Sequence, residues 1–334
     1  MNLLLMIQTL EIQNFKSIRH LRLDCRRVNL FIGEPNTGKS NILEALGLFS
    51  IPHTWEIRDF VRMESMDDLF YEHDISQRVM VRYDGGESSE ISLVADQETF
   101  PPQFLLLSPW GLRVYRSDGS IVKIESPVAE APPLKIRFYR FSPGVVFGGQ
   151  PAPFLLPPRG ENLPQVLLTR KDLHRMASGF FKRFGLTLLV SLRRDKLEMM
   201  REREGEFITF PYSLASDTLQ RQIFHLIAME TSQDAVLIFE EPEAHAFPLY
   251  TKYLAERVAL DESNQYFIST HNPYFLIPLV EKIHRTGIRV FVTYLWDGQT
   301  RVHPLAEEEL RELLDLESGL FFNLSLFVER LQRE

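Results

Sequence analysis

Gly33-Glu34-Pro35-Asn36-Thr37-Gly38-Lys39-Ser40 is a loop that few folds accommodate. Its glycines let backbone N–H groups turn inward around phosphate oxygens, and a helix starting at its end adds a partial positive charge. Average residue frequencies make a chance match in a chain of 334 residues an event of about one in a hundred. The context agrees, because the apolar run Val28–Ile32 reads as a buried strand and residues 41–49 carry apolar side chains at helical spacing. Lys39 is expected to reach the β- and γ-phosphates of ATP, and Ser40 to ligate Mg²⁺. Gly33, Asn36, Thr37, Gly38 and Asn41 complete the expected phosphate site.

Composition narrows the partners. The net charge is −8, so the whole chain has no electrostatic footprint for nucleic acid, and DNA as a partner is unsupported by charge. The best local basic patch, Arg193, Arg194, Lys196, Arg201 and Arg203, reads first as a solvated hairpin or helix face. A single cysteine, Cys25, supports neither a disulfide framework nor a thiolate zinc site. The opening residues do not form a signal peptide and no apolar run reaches bilayer length. A soluble, cytoplasmic protein without a membrane partner is expected.

Along the chain, residues 7–15, 18–24 and 28–32 read as strands before the loop and its helix. Residues 77–83, 90–94, 112–115 and 121–124 alternate with turn signals and suggest an antiparallel meander. Residues 142–165, rich in proline and glycine, read as a loop or lobe boundary. Residues 171–184 look helical, and 186–199 with 206–210 look like paired strands. From residue 213 the order is helix, strand, helix, strand (218–229, 235–239, 249–259, 266–269), which predicts parallel strands with crossover helices. A hairpin at 288–294 and 301–304 and helices at 307–314 and 321–331 close the chain. The expected fold is an α/β P-loop domain over residues 1–334. Its nucleotide-binding core takes in 6–50 and 210–305. A β-rich and helical lobe is inserted at 75–205, and helices follow at 306–334.

Two further segments carry chemistry. Ala235-Val236-Leu237-Ile238-Phe239-Glu240-Glu241 is a buried strand delivering two acids at its carboxyl end, where sites in open α/β sheets lie. Glu240 is expected in the Mg²⁺ shell, and Glu241 to polarise the attacking water. Phe267-Ile268-Ser269-Thr270-His271-Asn272-Pro273 ends a second apolar strand in a turn whose His271 is placed to meet the γ-phosphate or orient that water. A fourth segment, Ser213 to Arg221, has two readings. Ser216 or Asp217 is a good helix N-cap. Alternatively, the helix start faces a nucleotide held by a second subunit, with Ser216 in contact.

Taken in order, these segments resemble the ABC-type ATPase heads of the SMC and RecF-like group, and most of all short AAA ATPases similar to the ATPase part of OLD-family proteins. Leu10-Glu11-Ile12-Gln13-Asn14-Phe15-Lys16-Ser17 is similar to that group's first strand. Asn41-Ile42-Leu43-Glu44-Ala45 follows its phosphate loop, Glu240-Glu241-Pro242-Glu243-Ala244-His245 resembles its Walker B turn, and Ser269-Thr270-His271-Asn272-Pro273 its switch loop. The match covers roughly 6–50 and 210–278. The resemblance implies a mixed, largely parallel core sheet with an antiparallel lobe, and a homodimer that closes on two ATP molecules. It also implies that Lys16 or Arg19 touches nucleotide. The chain departs from the group in two places: Glu240 stands where an aspartate is usual, and Asp217 where a signature glycine is. Gln103, Gln150 and Gln165 are all open as the Q-loop glutamine.

The function expected is an ATPase subunit that dimerises on ATP and regulates a protein partner encoded nearby, in DNA repair or anti-phage defence. The competing expectation is a nucleotide-gated binding protein with negligible hydrolysis. A transporter's nucleotide-binding subunit fits the opening strand and the poor signature less well. A fused nuclease is disfavoured by the some sixty residues that follow His271.

Overall fold

The computed structural model describes residues 6–54, 56–86, 88–125, 135–191, 196–315, 321 and 324–333. Its centre is a six-stranded sheet in the order β16-β15-β3-β14-β13-β9, made of Gln299–Pro304, Ile288–Trp296, Val28–Ile32, Gln265–Ser269, Ala235–Glu240 and Lys135–Tyr139. All neighbours run parallel except the β15–β16 hairpin. The inner strands β3 and β14 are buried at every position, as expected of parallel strands covered on both faces.

Alternation along β13 divides the core into two layers. Val236 and Ile238 pack with Phe31, Phe138, Phe267 and α1 (Lys39–Gly47) beneath an antiparallel sheet. Leu237 and Phe239 face the other way, with Tyr266, Ile268 and the helices α4 (Asp217–Glu230), α5 (Pro248–Leu260) and α6 (Pro273–Lys282). Each such apolar side chain contributes about 1.5–3 kcal/mol by leaving water, so both layers hold the sheet's carboxyl ends in place. Proline at the first turn starts α5 and α6, where its missing N–H has no partner to lose.

The antiparallel sheet is larger than a meander alone. Its order is β2-β1-β4-β5-β6-β7-β8: Ile18–Asp24, Thr9–Phe15, Val79–Asp84, Ser88–Asp96, Gln103–Ser108, Gly111–Tyr115 and Ile121–Glu125. Residues 75–205, expected as one inserted lobe, therefore divide. Residues 79–125 extend the N-terminal hairpin, Lys135–Tyr139 edges the core sheet, and Thr187–Ser191, Lys196–Arg203 and Glu206–Pro211 form a separate three-stranded sheet. The last correction splits the strand expected over 186–199 in two. Besides the edge strand Lys135–Tyr139, three elements beside or within proline-containing stretches were not foreseen. β6 lies between Pro101-Pro102 and Pro109, α2 (Leu163–Thr169) begins in the proline-rich stretch, and α6 contains Pro278. In each case proline masked an element that tertiary burial stabilises. Arg193 and Arg194 lie outside the described residues, as do positions 322 and 323 of the helix expected over 321–331; that helix is seen as Leu324–Arg333. Among the described residues no helix is long and apolar enough to cross a membrane.

Candidate active site

The phosphate-type loop joins β3 to α1, with Gly38 at the helix N-cap in the left-handed region at φ 94°. A Cβ on Gly38 would lie 2.0 Å from Thr300 Oγ1, so only glycine fits. A set of hydroxyls braces the loop. Thr37 Oγ1 donates to Glu34 O at 2.8 Å and shares a hydrogen bond with Thr293 Oγ1 at 2.9 Å. Thr300 Oγ1 donates to Thr37 O at 3.1 Å and pairs with Ser17 Oγ at 2.7 Å, which accepts from Asn41 Nδ2 at 2.7 Å. Thr293 and Thr300 belong to the β15–β16 hairpin, and no spacing rule links them to a loop some 260 residues away.

Lys39 is buried, and its Nζ donates to Gly33 O at 2.8 Å and Glu34 O at 2.7 Å. Burial lowers its pKa, opposed by Glu241, Glu240 and Glu34. The carboxylates reach the same corner because β14 lies between β3 and β13, with Ser269 in register with both Phe31 and Glu240. Past the strand end Glu241 turns into the left-handed region at φ 43°, a costly conformation for a residue with a Cβ. Its N–H donates to Ser269 O at 3.1 Å, and its Oε1 lies 3.2 Å from His271 Nδ1. The phosphate loop, Glu240, Glu241 and His271 therefore cluster at the carboxyl ends of three adjacent strands.

Lys16 and Ser216 are placed differently. Lys16 is paired with Glu44 and donates to Arg62 O at 2.6 Å. Ser216 Oγ caps α4 by accepting from Leu219 N at 3.4 Å. Sequence reasoning gave no role to Glu44, Arg62 or Arg140. Glu44 is fully buried on α1, where Arg62 Nε at 2.7 Å and Arg140 Nη2 at 2.6 Å join Lys16 around it. Burial would raise the pKa of Glu44, yet Lys16, Arg140 and Arg62 hold it below the usual range. Both arginines also face Glu240: Arg62 Nη2 at 3.0 Å and Arg140 Nε at 3.5 Å. The available signal was a lone acid flanked by buried apolar residues in a nine-residue helix. β9, paired with β13, ends at Tyr139 just before Arg140, while Gln103 opens β6 and Gln165 lies on α2.

The fold is shared with solved structures. Over 91% of this chain and 99% of the other, the structure superposes with a TM-score of 0.53 and 14% identity on the Smc head bound to the C-winged helix domain of ScpA. An Smc head with an extended coiled coil, bound to the C-terminal domain of ScpA derived from Pyrococcus furiosus, gives 0.51 at 12% identity over 92% and 98%. The chain has the fold of an SMC-type ATPase head.

Within this head, residues 6–98 match the model of an AAA ATPase domain. A stretch of 108 residues is 32% identical to an uncharacterised protein of Methanocaldococcus jannaschii, covering 28% of this chain and 49% of that protein. Another of 88 residues is 31% identical to an ATP/GTP phosphatase of Helicobacter pylori, covering 23% and 24%. The chain thus spans half or less of the curated relatives it matches.

Behind the turn at 269–273, Glu243 is 2% exposed and accepts from Thr270 Oγ1 at 2.5 Å. Burial pushes its carboxyl from an ordinary 4.5 up to about 6. The folded chain holds this proton more tightly than the unfolded one. The contribution is therefore complete below about pH 4.5 and is lost as pH rises through about 6. Glu243→Gln keeps the Thr270 contact without the charge. Relative to the parent it is expected to gain about 2 kcal/mol between pH 4.5 and 8, measured by urea unfolding at both values. A difference independent of pH would refute this.

Proposed function

We propose that this chain binds ATP with Mg²⁺ and hydrolyses it, and that ATP closes two copies into a dimer that regulates a protein partner. The observation that supports this best is the convergence of the loop at 33–40 with Glu240, Glu241 and His271 at one end of the sheet. Inward-turned amides and Lys39 would grip the triphosphate. The hydroxyl of Ser40 and the carboxylate of Glu240 are hard oxygen donors, which suit magnesium. The bound ion would neutralise charge on the β- and γ-phosphates. Glu241 would accept a proton from the attacking water while His271, 3.2 Å from it, orients the pair. The water oxygen bonds to the γ-phosphorus as the bond to ADP breaks, leaving ADP and phosphate.

A second reading is favoured by two observations. Glu240 is already paired with Arg62, and Asp217 is exposed at the start of α4, so a nucleotide-gated binding protein with negligible hydrolysis is the alternative. The work of such a head in DNA repair or anti-phage defence, in the cytoplasm, is part of the proposal. So is docking of a partner, as ScpA docks on the Smc heads of similar fold.

Lys39→Ala tests the site itself. Loss of a charge-assisted contact to phosphate is expected to weaken ATP binding by about 1.5–3 kcal/mol, roughly ten- to a hundredfold. Equilibrium binding of a fluorescent ATP analogue reads this directly, and equal affinity in the variant would refute the site.

A further inference from the structure

Glu240 has two guanidinium partners of unequal freedom. Arg62 donates to Oε1 at 3.0 Å from a loop, with a side chain 60% exposed. Arg140 faces Oε2 and is 19% exposed, 4.7 Å from the Phe138 ring centroid and tied to the buried Glu44. The Arg140 Nε–H is buried and has no hydrogen-bond partner, although it is 3.5 Å from Oε2. A shift of about half an ångström would make that bond. One contact is easily exchanged; the other is fixed and incomplete.

We propose that Arg140 is a positioning residue that anchors Oε2 of Glu240 from Glu44, leaving Oε1 to exchange Arg62 for the divalent ion that accompanies the nucleotide. The inference rests on the nucleotide-site reading above. It also accounts for the side-chain length at position 240. An aspartate would draw the carboxylate back by about 1.5 Å, one carbon–carbon bond, and out of reach of Arg140. The long acid and the arginine form a matched pair.

The test is a Mg²⁺ titration of fluorescent ATP-analogue binding by the full chain and its variants. Loss of a group that orients a metal ligand typically costs ten- to a hundredfold in metal affinity. Arg140→Gln is therefore expected to raise the Mg²⁺ midpoint by about tenfold. Glu240→Asp should do the same, and the double variant should be no worse than either single one. Arg62→Gln, which removes the competitor for Oε1, should lower the midpoint. An unchanged midpoint in Arg140→Gln, or additive effects in the double variant, would overturn the proposal. Should Arg140→Gln fail to fold, Glu240→Asp and Arg62→Gln decide alone, because midpoints that do not move in opposite directions overturn it. Analogue binding by the parent that ignores Mg²⁺ overturns this inference only. Absence of binding at any Mg²⁺ concentration sinks the nucleotide site and this inference with it.

Discussion

Glu44→Ala is expected to destabilise the fold by about 3–5 kcal/mol, because it leaves buried cations without their common anion. Lys16, Arg62 and Arg140 converge on this one carboxylate, whose side chain is wholly inaccessible. They come from the β1–β2 turn, from a loop before the second half of the antiparallel sheet, and from the end of β9. Removing the anion would therefore loosen three segments at once. Arg62 is the most exposed of the three at 60% and can turn to water. Lys16 and Arg140, at 12% and 19%, have far less access to it. Urea unfolding of parent and variant at pH 7 measures the loss. A change under about 1 kcal/mol, the size of an exposed ion pair, would show that the cluster is solvated in solution.

The second large effect concerns turnover. Glu241→Gln is expected to lower ATP hydrolysis by about 10²–10⁴-fold, the usual contribution of a positioned general base. The amide keeps the size of the side chain but cannot take the proton. Because Glu241 is 3.2 Å from His271 and outside the loop at 33–40, ATP binding should persist. The variant with ATP and Mg²⁺ should elute as a dimer in size-exclusion chromatography, and without ATP it should elute smaller. Steady-state phosphate release separates the two functional readings. A parent no faster than Glu241→Gln, with dimerisation intact, would favour the nucleotide-gated binding protein.

Much of the site was legible because it is encoded locally. The strand Val28–Ile32 and the acid-tipped strand Ala235–Glu240 were read nearly to their ends, since unbroken apolar runs bounded by turn residues leave few alternatives. Ser216 is legible for the same reason: the capping bond it accepts from Leu219 N is encoded locally, as the N-cap reading expects. The strands β6 and β9 were missed for a different reason. Gln103–Ser108 sits between prolines, and Lys135–Tyr139 is short and half charged, so neither pattern stands out until neighbouring strands bury it.

The sequence by itself determined that a glycine-rich loop opens a helix after a buried strand, and that two acids and a histidine end two later strands. Those facts follow from short-range spacing, which backbone geometry translates directly into turns and strand tips. Only the tertiary structure decided which groups meet there. The Arg62–Glu240 pair joins residues 178 apart and the Thr300–Thr37 bond residues 263 apart. Such contacts depend on strand order, which places β14 between β3 and β13. Periodicity along the chain carries no record of that choice.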